Sequence, residues 1–156
     1  IIMSKKMCNN KTAVLLFLFL AIPLAGANIS IPSVSASSGS SIQVPVNIDD
    51  ATDVGGYNFT VTFDQGVLQA TGASSGSLTS GWMLTPNIST PGQITVAGLD
   101  ISLEGLAGGS GSLVLLNFNV MGNAGSTTNL VFSGNNKIND VNAQNLPQFF
   151  RTGHLP

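Results

Sequence analysis

Between residues 55 and 69 the chain reads Gly-Gly-Tyr-Asn-Phe-Thr-Val-Thr-Phe-Asp-Gln-Gly-Val-Leu-Gln, and this stretch limits the possible folds most. Tyr57, Phe59, Val61 and Phe63 take every second position, with Asn58, Thr60 and Thr62 between them. That is the period of a strand with one apolar and one wet face; on a helix the same four side chains would scatter around the circumference. Gly55 and Gly56 let the chain turn in, and Asp64-Gln65-Gly66 turns it out before Val67 and Leu68 return to the interior. A lone strand cannot bury such a face, so the rest of the chain must cover it.

The covering elements are legible by the same pattern. Ile42, Val44, Val46 and Ile48 alternate with Ser41, Gln43, Pro45 and Asn47. Val114, Leu116, Phe118 and Val120 share one face, while Leu113 and Leu115 make the other apolar too, which predicts a central strand. Shorter runs follow around Trp82-Met-Leu84, Ile94-Thr-Val96, Leu130-Val-Phe132 and Pro147-Gln-Phe149-Phe150. Thr90-Pro91-Gly92 is a turn signal between the first two of these. Ile29-Ser-Ile31-Pro-Ser-Val34 predicts an edge strand, since Pro32 withholds a ladder donor. Residues 72–80 are small and polar with Leu78 as a plug, residues 135–145 form a long Asn-rich loop, and the end of the chain reads as a frayed tail. About nine short strands with regular turn signals, and no helical pattern after the first 27 residues, predict an all-β sandwich or jelly roll.

Residues 1–27 read as a secretory signal peptide. Lys5, Lys6 and Lys11 supply a basic start, residues 13–22 an apolar run too short to span a bilayer comfortably, and Ala25-Gly26-Ala27 a small-residue cleavage site. Ala27 stands where a lipoprotein would need cysteine. The single cysteine, Cys8, falls in this leader, so the domain expected over residues 28–156 carries no thiol, compatible with an oxidising exterior. Within that domain Lys137 and Arg151 stand against seven acids, a net charge of −5. No basic cluster meets a phosphate backbone or an anionic membrane, so nucleic acid is excluded as a partner, and no apolar run in this domain predicts a membrane span. At 156 residues one core suffices without disulfides or metals.

Catalytic chemistry finds little purchase. His154 is the lone histidine, and Asp100 with Glu104, the nearest thing to a glycosidase pair, flanks a loop without an aromatic wall. Asp140-Val-Asn142 opens like a calcium loop but lacks the glycine and closing glutamate of an EF-hand, which predicts a solvated turn. Tyr57 and Trp82 could stack on a sugar, yet Tyr57 shares the phase of the core rings and Trp82 reads as a core plug. Asn28, Asn58 and Asn87 each begin an Asn-X-Ser/Thr triplet, a pattern common by chance in such a composition.

The order of features resembles a cohesin module, the receptor half of the cohesin–dockerin pairs that assemble cellulosomes and related surface complexes. The resemblance runs from Ser41-Ile-Gln-Val-Pro-Val46 through Gly56-Tyr-Asn-Phe59 and Phe63-Asp-Gln-Gly-Val-Leu68. It continues in Gly76-Ser-Leu78, Pro91-Gly-Gln-Ile-Thr-Val96, Gly111-Ser-Leu113, Phe118-Asn-Val120 and Gln148-Phe-Phe150 with Gly153. It implies a nine-stranded jelly roll and a sheet face, built from strands three, five, six and eight, that receives a dockerin helix. Calcium would then belong to the dockerin, with no cofactor in this chain. By position the contact residues implied are Gly56 and Asn58, where several members have aspartate, then Asn87, Asp100 and Glu104. Thr60 and Thr62 complete the wet face of the same strand. The family's kinship with carbohydrate-binding modules keeps polysaccharide as an alternative ligand, and a structural spacer in a surface protein is the third reading.

Overall fold

The computed structural model describes residues 26–155, so the leader expected over residues 1–27 lies outside them up to residue 25. Eleven strands follow in order: β1 (Ala27–Ser30), β2 (Ser41–Ile48), β3 (Gly56–Thr62), β4 (Leu68–Ser75), β5 (Met83–Asn87), β6 (Gln93–Leu99), β7 (Gly111–Val120), β8 (Thr128–Phe132), β9 (Lys137–Asn139), β10 (Gln148–Arg151) and β11 (Gly153–Leu155). They form two sheets, β10-β1-β2-β7-β4 and β11-β8-β3-β6-β5, with β9 pairing β3 beside β8. The expected jelly-roll sandwich is what the chain folds into, with the described residues all outside helices.

The long alternating runs form the long strands. β2 and β7 pair antiparallel along their length, and β7 lies between β2 and β4, the central position its two apolar faces require. β1 differs from expectation. It ends at Ser30, before Pro32, and runs between β2 and a parallel β10 instead of along an edge. Beyond it the chain still follows the C-terminal segment, with Ile31 N–H donating to Arg151 O at 3.2 Å and Val34 N–H to His154 O at 3.0 Å. His154 therefore belongs to a paired strand, opposite Asn129, and not to a frayed tail. The small, polar residues 68–75 form β4, bulged between Ala70 and Gly72, where no alternation announces a strand.

Packing between the sheets centres on the inward face of β3. Tyr57, Phe59 and Val61 are buried. The Tyr57 ring stacks on Phe59 at 4.9 Å and on Trp82 at 6.0 Å between centroids. Phe59 meets Phe132 of the same sheet and Phe150 of the other edge-on, at 5.9 and 6.1 Å, so one side chain ties β10 to the middle of the molecule. The Tyr57 hydroxyl reaches across the sandwich to donate to Leu113 O at 3.2 Å, and burial pushes its pKa above the ordinary phenol value.

Gly98, directly opposite Tyr57 on β6, makes room for this ring. A Cβ at Gly98 would run into the Tyr57 phenol. We expect Gly98→Ala to destabilise the domain by about 1–3 kcal/mol through overpacking. Phe59→Ala should cost about 3–5 kcal/mol through the cavity it leaves. Urea denaturation with an unchanged m-value checks both, and a neutral Gly98→Ala would show that the ring can move aside.

Candidate protein-binding face

With Tyr57, Phe59 and Val61 turned inward, Asn58, Thr60 and Thr62 must face outward, because successive side chains of a strand alternate. Strand register extends this face in rows across the sheet. Met83, Leu99, Gly56 and Asn139 form one row, and Thr85, Ala97, Asn58 and Lys137 the next. Asn87, Thr95 and Thr60 make the third, and Gln93, Thr62 and Val131 the fourth.

Local hydrogen bonds hold the middle of the face in place. The Thr60 and Thr95 hydroxyls meet at 3.1 Å, and Thr62 Oγ1 donates to Val131 O at 3.3 Å. Asn58 Nδ2 donates to Asn135 O at 3.3 Å, and the backbone N–H of Thr60 donates to Asn136 Oδ1 at 2.7 Å. These last two bonds fasten the turn between β8 and β9 to the flank of β3. Asn58 itself stays half-buried and is not sealed beneath that turn.

Of the residues expected to bind, Gly56, Asn58, Thr60, Thr62 and Asn87 share this surface. Asn87, exposed at the end of β5, accepts from Ser89 N–H and Oγ–H, an Asx turn that ends the strand. Asp100 plays another part. It is 5% exposed, and its carboxylate is turned into its own loop. Oδ1 accepts from the Ser102 hydroxyl at 2.7 Å and its N–H at 2.9 Å, while Oδ2 accepts from Glu104 N–H at 3.2 Å and Gly105 N–H at 2.8 Å. Glu104 is exposed on that loop. The Ser102 hydroxyl, then the Gly105 N–H, hold the Asp100 pKa below the usual carboxylate value.

Two groups on the face escaped the sequence reading. Lys137 is exposed on β9, a three-residue strand inside the stretch expected to be loop. Met83 and Leu99 face each other at one corner, and Ile101 and Leu103 follow on the loop that leaves β6; the four are exposed by 54%, 43%, 66% and 62%. Their signal was present: Ala97 and Leu99 fall on the phase opposite to the buried Ile94 and Val96, so apolar side chains occupy wet positions.

Elsewhere the chemistry is modest. Trp82 is partly buried against Tyr57, so these two rings form no outward platform. Asp140 Oδ1 accepts from Asn142 N–H and Gln144 N–H in its own turn. His154 Nδ1 lies 2.8 Å from Asn129 Oδ1 at the surface. Among the described residues no three metal-ligating side chains cluster, and no helix is long and apolar enough to cross a membrane.

The family model described as Cohesin domain matches residues 27–149. This chain belongs to the cohesin family. Solved structures agree. The non-cellulosomal cohesin of the hyperthermophilic archaeon Archaeoglobus fulgidus aligns with a TM-score of 0.72 at 29% identity, covering 84% of this cohesin and 90% of that chain. The sixth cohesin of Acetivibrio cellulolyticus scaffoldin B, solved with a mutant Cel5 dockerin, aligns at 0.73 and 26% identity over 84% and 98% of the two chains. The cohesin of a type I complex from Clostridium thermocellum, at 0.70 and 16% identity over 83% and 91%, shares the fold. A sequence search of curated proteins gave no significant match.

The Asp100 staple leads to a pH-dependent prediction. Its native pKa is lowered, so its contribution to loop order is complete above the ordinary aspartate value of about 3.9 and is lost as the pH falls below it towards the native value. Asp100→Ala should therefore lower the amide-exchange protection factors of Ser102, Glu104 and Gly105 at pH 7, as acidification below the ordinary aspartate value lowers them in the wild type. Equal protection in the variant would show that the loop is held by other means.

Proposed function

We propose that this cohesin is a secreted, non-catalytic receptor whose β8-β3-β6-β5 face binds the helical surface of a calcium-loaded dockerin on another protein, within a polysaccharide-degrading or cell-surface assembly. The observation that carries this reading is the outward face of β3: half-exposed threonine and asparagine side chains, backed by the aromatic core and flanked by the turn between β8 and β9 without being sealed beneath it. Such a surface offers donors and acceptors to an amphipathic helix without rearranging. The Acetivibrio cellulolyticus relative, bound to a dockerin, supports the choice of partner class. Calcium belongs to the partner, and this chain needs no cofactor.

Binding, not turnover, suits the side chains available. The most enclosed carboxylate, Asp100, is committed to its own loop, and His154 to Asn129. Tyr57 and Trp82 pack inward, so polysaccharide would be reached through the dockerin-bearing protein. Export follows from the basic and apolar leader over residues 1–27.

Asn58→Trp with Thr60→Tyr should weaken calcium-loaded dockerin binding about 100-fold or more in titration calorimetry, with the thermal transition of the cohesin little changed. Retained affinity in the folded double variant would count against this face.

A further inference from the structure

The docking face is uneven in its chemistry. At one corner Met83 and Leu99 face each other across β5 and β6, and the loop after β6 adds Ile101 and Leu103. Four large apolar side chains exposed within one strand pair and the four residues that follow it are unusual for a surface otherwise of threonine and amides. Leu103 is also held at φ +57, a left-handed conformation that a bulky residue adopts at a cost and that glycine would adopt freely. The Asp100 carboxylate, bonded to the backbone on both sides of Leu103, maintains it there. A strained backbone that presents an apolar side chain to solvent gains nothing for folding.

Across the sheet stands Lys137, one of the two cations among the described residues; the other, Arg151, lies in the opposite sheet. Its cross-strand neighbour is the neutral Asn58. One hollow beside it, of about 460 Å³, is lined by Asn58, Asn135, Asn136, Asn145 and Gln148, all amides. The hollow on its other side includes one carboxylate, Asp140, whose Oδ1 already accepts two backbone N–H groups. Asn145 Oδ1 and Gln148 Oε1 already accept, from Asn139 Nδ2 and Ile138 N–H, which leaves their NH2 groups to donate beside the Lys137 ammonium, a setting for an anionic oxygen.

We infer that this face selects a dockerin of one polarity, with an apolar anchor seated on Met83, Leu99, Ile101 and Leu103 and a carboxylate brought to Lys137. The inference rests on the dockerin reading and deepens it by naming the partner's chemistry. β5 and β9 are three strand intervals apart, about 14 Å at the usual spacing. On a helix lying across the strands that distance is roughly nine or ten residues, so the acid stands between two and three turns from the anchor. Because the domain is otherwise acidic, a partner carboxylate is repelled everywhere except near such a cation, which makes the pairing orientational.

A display library of calcium-loaded dockerin modules, randomised over the exposed helix positions, tests this against the full chain and its K137E and I101S variants. Against the wild type, binders should be enriched in Asp or Glu at one position and in large apolar residues at another about 14 Å away. Against K137E the acid should give way to Lys or Arg. Wild-type binders should lose about tenfold in affinity to K137E, and a similar factor to I101S, with salt sensitivity falling only in the former. Binders that compete at the Asn58 surface but show no acidic enrichment, or that bind K137E unchanged, would overturn the polarity and leave dockerin recognition standing. A library yielding no binder to the wild type would overturn both.

Discussion

Everything in this domain depends on the phase of β3. Side chains on a strand repeat every two residues, so a slip of one position would exchange the rings of Tyr57 and Phe59 for Asn58 and Thr60. The slip is prevented on both sides of the sheet. Beneath, Phe59 is gripped by Tyr57, Phe132 and Phe150, and Gly98 leaves the space the Tyr57 ring fills. Alongside, β3 is paired with β6 over all seven of its residues. The same packing that stabilises the sandwich therefore fixes which hydroxyls and amides the outward face presents.

A second constraint is the scarcity of charge, and it shapes how loops are held. With charged residues at 8% of the chain, aspartates act singly on backbone N–H groups. Asp50 accepts from Thr52, Asp64 from Gly66, Asp100 from Ser102, and Asp140 from Asn142, each two residues on. Each is an Asx-type turn, in which a carboxylate satisfies donors the sheet cannot reach. Asp49 does the same at longer range, taking both the side-chain and backbone N–H of Asn28, whose side-chain bond is the chief reason its pKa is lowered. Among the described residues no buried side-chain polar atom is left without a partner, so few charges do not mean poor satisfaction. Of the two acids that might have suggested catalysis, Asp100 is employed in shaping a turn and Glu104 is exposed on it.

The legibility of the fold in the sequence follows from burial contrast. β2, β3 and β7 each have one face fully inside, and alternation reports that directly. β4 beyond Leu68 is built from Ala, Gly, Ser and Thr, which carry too little apolar contrast to reveal a phase. β9 is three residues long, and the buried Ile138 is its single apolar mark. β1 was misplaced because Pro32 suggested an edge, whereas its second neighbour, β10, comes from the far end of the chain. The candidate face divides the same way: its β3 half could be read from alternation, while Lys137 depended on a pairing invisible in sequence. Asp100 was implied as a contact by position alone, through the family resemblance; the positions of Ser102 and Gly105 show that its carboxylate faces its own loop.

Edges decide how such a sheet can meet another protein. A sandwich could bind a partner by adding a strand, using its unpaired backbone groups. β5 hinders that route at one edge of its sheet because Pro86, in its middle, has no N–H to give. β4, one edge of the other sheet, is interrupted between Ala70 and Gly72 by a bulge that breaks the spacing of its free groups. The face of the β3 sheet, by contrast, has its backbone already paired and presents side chains alone. A partner there must bring its own satisfied backbone, which a helix does and an extended segment does not.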